Sequence, residues 1–179
     1  GLKIMLKIFG LKKGYIGIEE NKADAIELLT NYANMENDYE IEIVPLKVKY
    51  PQGREKHLIS AITGRTVPVG KLPLDVGCVV NNIDTCAAIA RAVVYGMPLI
   101  STIVTVTGDC IKNPTNARVR IGTPMGDVIE YLGGLKAQPK KVIMGGPMMG
   151  IAVPNLDVPV VKGSSGIVAL SKRSTLLRH

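Results

Sequence analysis

The sequence predicts an α/β protein built in two parts, and three observations predict it. Apolar residues run in the order strand, helix, strand between Tyr15 and Val44, the order that builds parallel sheets. From Leu99 the order becomes hairpin, helix, strand, that of a small β-grasp module. The 179 residues are 46% hydrophobic, enough for one substantial core or two small ones. These patterns assign an α/β part to residues 1–98, a β-grasp part to 99–152 and a C-terminal extension to 153–179.

Leu2, Met5, Leu6 and Phe9 recur at helical spacing, so one face of a first helix should be buried before Gly10 stops it. Tyr15 to Glu19 reads as a strand. Asn21 is the expected cap of a helix running to about Met35, with Ala25, Ile26, Leu28, Leu29 and Tyr32 as its apolar stripe. Ile41, Ile43 and Val44 read as the next strand, which places Tyr50 to Gly53 at the strand end where α/β proteins bind ligands. A helix from about Arg54 to Ile62 should stop at Gly64. Val76 to Val80 is expected as a buried strand, followed by a helix from Asp84 to Tyr95 that ends at Gly96 and Pro98.

In the second part, Ile103, Val104 and Val106 should pair with Val119 and Ile121 across a turn at Asn113–Asn116. Pro124 is expected at the first position of a helix carrying Val128, Ile129 and Leu132, with Gly133 and Gly134 behind it. Lys141 to Met144 is the next strand. The stretch from Val153 to Leu170, broken by Pro154, Pro159, Gly163 and Gly166, reads as loops and a final strand that packs back.

Composition removes several classes. One Phe, six Tyr and no Trp leave few rings for stacking on bases, so no nucleic-acid partner is expected. The most apolar stretch, Ala87 to Val106, contains Arg91, Gly96 and Pro98 and is no membrane span. Cys78, Cys86 and Cys110 are far apart, without a CxxC, and read as buried thiols rather than a disulfide framework or metal site. His57 and His179 have no nucleophile in evident relation to them, so no catalytic triad is expected. The net charge of +7 gathers around Lys3, Lys7, Lys12 and Lys13, and around Lys47, Lys49, Arg54, Lys56, Arg65 and Lys71. Such clusters suit anionic partners or simply face water.

Two segments carry binding chemistry. Tyr50-Pro51-Gln52-Gly53-Arg54-Glu55-Lys56 lies at a strand-to-helix junction, where a glycine lets backbone N–H groups approach a phosphate and the helix start favours negative charge. By spacing alone the signal is weak, and a solvated turn leading into a charged first helical turn is the commoner reading. Asn81-Asn82-Ile83-Asp84-Thr85 precedes another helix; its carboxamides donate and accept, Thr85 can bond an oxyanion, and Asn82 or Asp84 can also cap the helix. Gly64 to Leu72 fails as a P-loop, because five residues separate Gly64 from Gly70 and Leu72 follows Lys71. Gly145–Gly150 and Gly163–Gly166 read as turns.

Taken in order, GYIGIEENK at 14–22, VPLKVKYPQGREKHLI at 44–59, LPLDVGCVVNNIDT at 72–85, VTVTGD at 104–109 and KVIMGGPMMG at 141–150 resemble RnfC, a component of the Rnf electron-transport complex. More distantly, the first half is similar to the NADH-binding flavoprotein of respiratory complex I. The resemblance implies a partial Rossmann-like FMN/NADH-binding domain followed by a β-grasp domain of the soluble-ligand-binding (SLBB) type. It also implies that Tyr50, Gly53 and Glu55 lie beside the flavin, and that Asn81, Asn82 and Thr85 contact the FMN ribityl chain and phosphate. Arg54 stands where relatives carry glycine or an acid, which raises the question of whether the backbone there needs glycine.

The family's glycine-rich loop and its paired cysteine motifs for 4Fe-4S clusters have no counterpart within this sequence. The chain therefore reads as a fragment, expected to be flavin-free and inactive alone. In the whole protein the resemblance implies hydride exchange between NAD(H) and FMN, electron transfer through clusters to ferredoxin, other Rnf subunits as partners, and a peripheral position on the cytoplasmic side of the inner membrane. The rival expectation is a non-enzymatic β-grasp docking module with an α/β scaffold.

Overall fold

Parallel pairing of β1 (Lys13–Glu19) with β2 (Glu40–Leu46), from Lys13 opposite Glu40 to Glu19 opposite Leu46, frames the first of two units into which the chain divides, Gly1–Met97. The computed structural model describes residues 1–175, so His179 lies outside the described residues. α1 (Leu2–Ile8) and α3 (Glu55–Thr63) pack on β1, α2 (Ala23–Asn34) packs on β2, and α4 (Ile83–Tyr95) packs on α1. The expected strand, helix, strand unit is present, with α2 as its crossover.

Close packing in this unit depends on small residues in β1. A β-carbon on Gly17 would stand 2.8 Å from Leu58 of α3 and 2.9 Å from Leu46, and one on Gly14 would stand 3.1 Å from Leu2 of α1. Glycine thus lets α3 and α1 lie directly on the strand. Leu6, Leu46, Ile59 and Val67 are buried. Lys3 of α1 forms an ion pair of 2.6 Å with Glu36 just beyond α2, and Lys13 reaches both Glu40 and Glu42 of β2.

Four expectations for this unit are corrected by the fold. Phe9 is 53% exposed, because α1 ends at Ile8 and buries only Leu6 fully. Lys22, not Asn21, occupies the cap of α2 and offers no side-chain acceptor. Leu28 and Tyr32 are exposed, so only Ala25, Ile26 and Leu29 of the proposed stripe are partly covered. Val76 to Val80 is not a strand: Pro73–Val76 forms a 3₁₀ turn closed by Asp75 accepting from the Leu72 N–H at 2.8 Å, and Gly77 ends it in the left-handed region. The residues after it have no strand partner, and Val79 is half exposed.

The second unit, from Pro98 onward, is a five-stranded mixed sheet in the order β4-β3-β7-β5-β6. The hairpin β3 (Ser101–Thr107) and β4 (Thr115–Arg120) forms as expected, followed by α5 (Met125–Tyr131) and β5 (Lys141–Met144). Pro124 caps α5 from one position earlier than expected. β6 (Ile151–Val153) lies at the far edge. The final strand β7 (Gly166–Leu170) runs parallel to β3 and antiparallel to β5, which makes it the centre of the sheet. All five of its residues are buried, with Ile167 and Ala169 in the main core and Val168 and Leu170 on the opposite face beside Ile143. That core joins Val104, Val106, Val119, Met125, Val128, Ile129, Val142 and Val160.

Candidate functional site

β2 ends at Leu46, and the chain turns through Lys47–Arg54 before α3 begins. The Gln52 N–H donates to Lys49 O (2.9 Å) and the Arg54 N–H to Pro51 O (3.2 Å), so the loop is a hydrogen-bonded turn rather than an open excursion. The Tyr50–Pro51 peptide bond is cis. Gln52 is 6% exposed whereas Tyr50 is 67% exposed: the loop is pinned by one side chain and presents the other. Gly53 has an ordinary negative φ and open space where a β-carbon would stand. Glu55 is the exposed first residue of α3. Arg54 takes an extended conformation at the helix cap, φ −71° and ψ 133°, which any residue adopts, so a glycine is not required there.

Asn81, Asn82 and Thr85 line the start of α4. Asn82 is the cap residue, its side-chain oxygen accepting from the Asp84 N–H at 2.9 Å. That leaves its amide NH₂ free to donate outward. Asn81 points its amide nitrogen at the Met5 sulfur (3.3 Å), and Thr85 is exposed in the first turn. The N–H groups of Ile83 and Thr85, like those of Glu55, Lys56 and His57 in α3, have no acceptor among the described residues. Each helix start therefore offers unpaired donors and the positive end of its dipole to an oxyanion.

The six residues thus fall into two groups at two loop-to-helix junctions of one unit: Tyr50, Gly53 and Glu55 before and at the start of α3, Asn81, Asn82 and Thr85 at the start of α4. No hydrogen bond or ion pair among the described residues links one group to the other. Gln52 is absent from the residues the sequence singles out, since a glutamine between Pro51 and Gly53 carries no signal of burial.

Part of the charge expected to await an anionic partner is already used. Lys3 and Lys13 are in ion pairs, Lys56 donates to Pro68 O (3.2 Å), and Arg65 donates to Val76 O (2.9 Å). Carboxylate neighbours hold Lys3 and Lys13 above the ordinary lysine range, and Lys3 holds Glu36 below the ordinary carboxylate range. Lys47, Lys49 and Arg54 form no ion pair among the described residues and flank the Tyr50 loop.

Of the three cysteines only Cys110 is buried; Cys78 and Cys86 are half-buried, which corrects the expectation of three buried thiols. Burial pushes the Cys86 and Cys110 thiols up, away from nucleophilic use. His57 is exposed on α3. Among the described residues no group of three His, Cys, Asp or Glu could hold a metal ion.

Residues 1–91 match the family model of the Nuo51 FMN-binding domain, and residues 103–152 match that of the SLBB domain. The chain is 51% identical over 174 residues to the C component of the Na⁺-translocating ferredoxin:NAD⁺ oxidoreductase complex of Acetobacterium woodii, covering 97% of this chain and 39% of that protein. The proton-translocating counterpart of Clostridium ljungdahlii is 50% identical (96% and 37%), and that of the ion-translocating oxidoreductase complex of Rhodobacter capsulatus 45% identical (98% and 34%). This chain therefore spans little more than a third of the length of these relatives. A solved NAD⁺-reducing [NiFe]-hydrogenase superposes with a TM-score of 0.74 at 20% identity, over 94% of this chain and 35% of that one, a likeness of fold.

Proposed function

Because the chain belongs to the Nuo51 FMN-binding domain family, we propose that its first unit forms one wall of an FMN site in the peripheral NADH-handling part of an ion-translocating ferredoxin:NAD⁺ oxidoreductase. The observation that carries the proposal is the donor set at the two helix starts. Tyr50, Gly53 and Glu55 stand exposed at one, Asn81, Asn82 and Thr85 at the other, each beside N–H groups without acceptors. This is the chemistry a phosphorylated, polyhydroxylated ligand needs: unpaired donors for phosphate, carboxamides for hydroxyls, and open space at Gly53 for close backbone approach. The 51% identity to the Acetobacterium woodii protein supports the assignment to that complex.

When bound, FMN supplies the hydride and single-electron chemistry. The residues of this chain bind and orient it: Asn82 holds the start of α4 in shape through its oxygen and donates outward through its nitrogen, and the Lys47, Lys49 and Arg54 cluster offsets phosphate charge. The remaining donors and the 4Fe-4S clusters belong to segments of the parent protein outside these residues. No described helix is long and apolar enough to cross a membrane. On this reading the protein is held to its complex by contacts with the other subunits, on the cytoplasmic side.

The test is flavin binding by the full-length parent protein, followed through flavin fluorescence. Combined Gly53→Ala and Thr85→Ala substitution should weaken FMN binding by at least about tenfold, each lost contact being worth about 1 kcal/mol. Unchanged affinity in a folded double variant would overturn the assignment of these residues.

A further inference from the structure

Two polar side chains are buried among the described residues, and they differ in how they are satisfied. Ser164 is 1% exposed, and its hydroxyl accepts from the Val161 N–H at 2.9 Å. Gln52 is 6% exposed, and its carboxamide makes no hydrogen bond to a described residue; the bond that ties Gln52 into its turn comes from its backbone N–H, to Lys49 O. Among the described residues, no side-chain nitrogen or oxygen that is fully shut from solvent lacks a partner. The small open part of Gln52 is therefore its amide: the stem is covered and the tip reaches the surface.

Such a placement works against stability. Burying an amide without partners is unfavourable, and an aliphatic side chain of similar size fills the same space without that penalty. The carboxamides at the start of α4 are occupied in other ways, Asn82 by capping the helix and Asn81 by the Met5 sulfur. A polar group covered along its length and unpaired at its tip is preset for a ligand.

We propose that the Gln52 carboxamide pairs with the polar edge of a planar heterocycle that carries an amide or imide group, an edge found both on the flavin ring and on nicotinamide. The inference rests on the proposed FMN site and names the part of the ligand that this turn reads. Phosphate does not match the group: it offers acceptors alone and would leave the Gln52 oxygen unpaired. The N–H groups at the start of α3, with Lys47, Lys49 and Arg54, suit an oxyanion better. An amide edge satisfies the nitrogen and the oxygen together in one plane. The neighbours in the turn suit the same ligand, since Tyr50 is 67% exposed and offers a ring for stacking, and Gly53 has open space where a β-carbon would stand.

The test compares the full-length wild-type protein with Gln52→Leu, which keeps a covered stem and removes the amide. Without ligand, the variant should unfold at the same temperature as wild type or higher, because an unpaired buried amide is gone. If the flavin edge is the partner, FMN binding weakens about tenfold, and the visible absorption and midpoint potential of the bound flavin shift. If the nicotinamide carboxamide is the partner, FMN affinity and spectrum hold while the KM for NADH at saturating FMN rises about tenfold. Gln52→Glu keeps the shape and replaces the donor by an acceptor, so it should weaken the same ligand even if Gln52→Leu fails to fold. Unchanged FMN affinity, flavin spectrum and NADH KM in a folded variant overturn the proposal, as does a lower unfolding temperature with unchanged binding, which makes Gln52 a structural residue alone. Wild-type protein that binds no FMN removes the flavin-wall reading and this inference with it. Loss of FMN in Gly53→Ala/Thr85→Ala beside unaffected Gln52 variants removes this inference only.

Discussion

The side-chain oxygen of Asn82 accepts a hydrogen bond of 2.9 Å from the backbone N–H of Asp84, so one residue both shapes the start of α4 and faces the space proposed for flavin phosphate. Two roles on one side chain can be separated by substitution. Asn82→Ala removes the cap and should cost about 1 kcal/mol of stability. Asn82→Ser keeps a capping oxygen but loses the outward amide donor. It should retain stability in urea unfolding while still weakening FMN binding in the full-length protein. Equal FMN affinity of the Ser variant and the wild type would leave Asn82 with the capping role alone.

Gly53→Ala separates binding from folding in the opposite direction. Its β-carbon would enter open space on an unstrained backbone, so stability should change by no more than about 0.5 kcal/mol. FMN affinity should fall, because the methyl group occupies the face left bare for the ligand. Thermal unfolding and flavin titration on the same variant check both halves.

Gly108 is a position in the second unit that tolerates nothing larger. Its φ is +114°, and a β-carbon would stand 2.1 Å from Ala169 O, a backbone atom of the central strand. Gly108→Ala should destabilise by more than about 3 kcal/mol, since neither strain nor clash can be relieved by a side-chain rotation. Loss of the cooperative unfolding transition, or of dispersed methyl signals from Val104 and Ile167, would report it.

Asp109 is held below the ordinary carboxylate range by the hydroxyl and N–H of Ser171. A carboxyl whose pKa is lower folded than unfolded contributes stability above its unfolded value and loses it as pH falls through the folded one. The contribution should be present at neutral pH and fade below about pH 4. Asp109→Asn should flatten that part of the stability profile measured by denaturant unfolding from neutral to strongly acidic pH. A profile identical to wild type would show that the contact adds nothing.

Thiol reactivity should sort the cysteines by burial. Cys78 and Cys86 are half-buried and should react with a thiol reagent in the native state, Cys86 slowed by its raised pKa. Cys110 is fully buried in the core and should react only on unfolding. Fast labelling of Cys110 would contradict the packing around it.

The sequence alone determined what depends on local chemistry. Gly64 and Gly96 adopt the left-handed conformation that ends α3 and α4, the cap of α4 falls on one of the two residues expected, Asn82 rather than Asp84, and alternating Val104, Val106 and Val119 form the hairpin, because each requirement is met within a few residues. The order of the five family motifs was likewise enough to find the FMN-binding and SLBB families. What needed the tertiary structure was anything set by contacts distant in the chain. Val76 to Val80 has the composition of a buried strand but finds no partner, while the final strand expected to pack back from Val153 to Leu170 is Gly166 to Leu170, and only its pairing with β3 and β5 makes it the central strand. Gln52 is buried although its place between Pro51 and Gly53 gives no sign of it. The lysines at 112, 136, 140, 141 and 172 form one charged end only because register brings three separate loops together. Charge and burial belong to the folded surface, and only long-range pairing decides which residues share it.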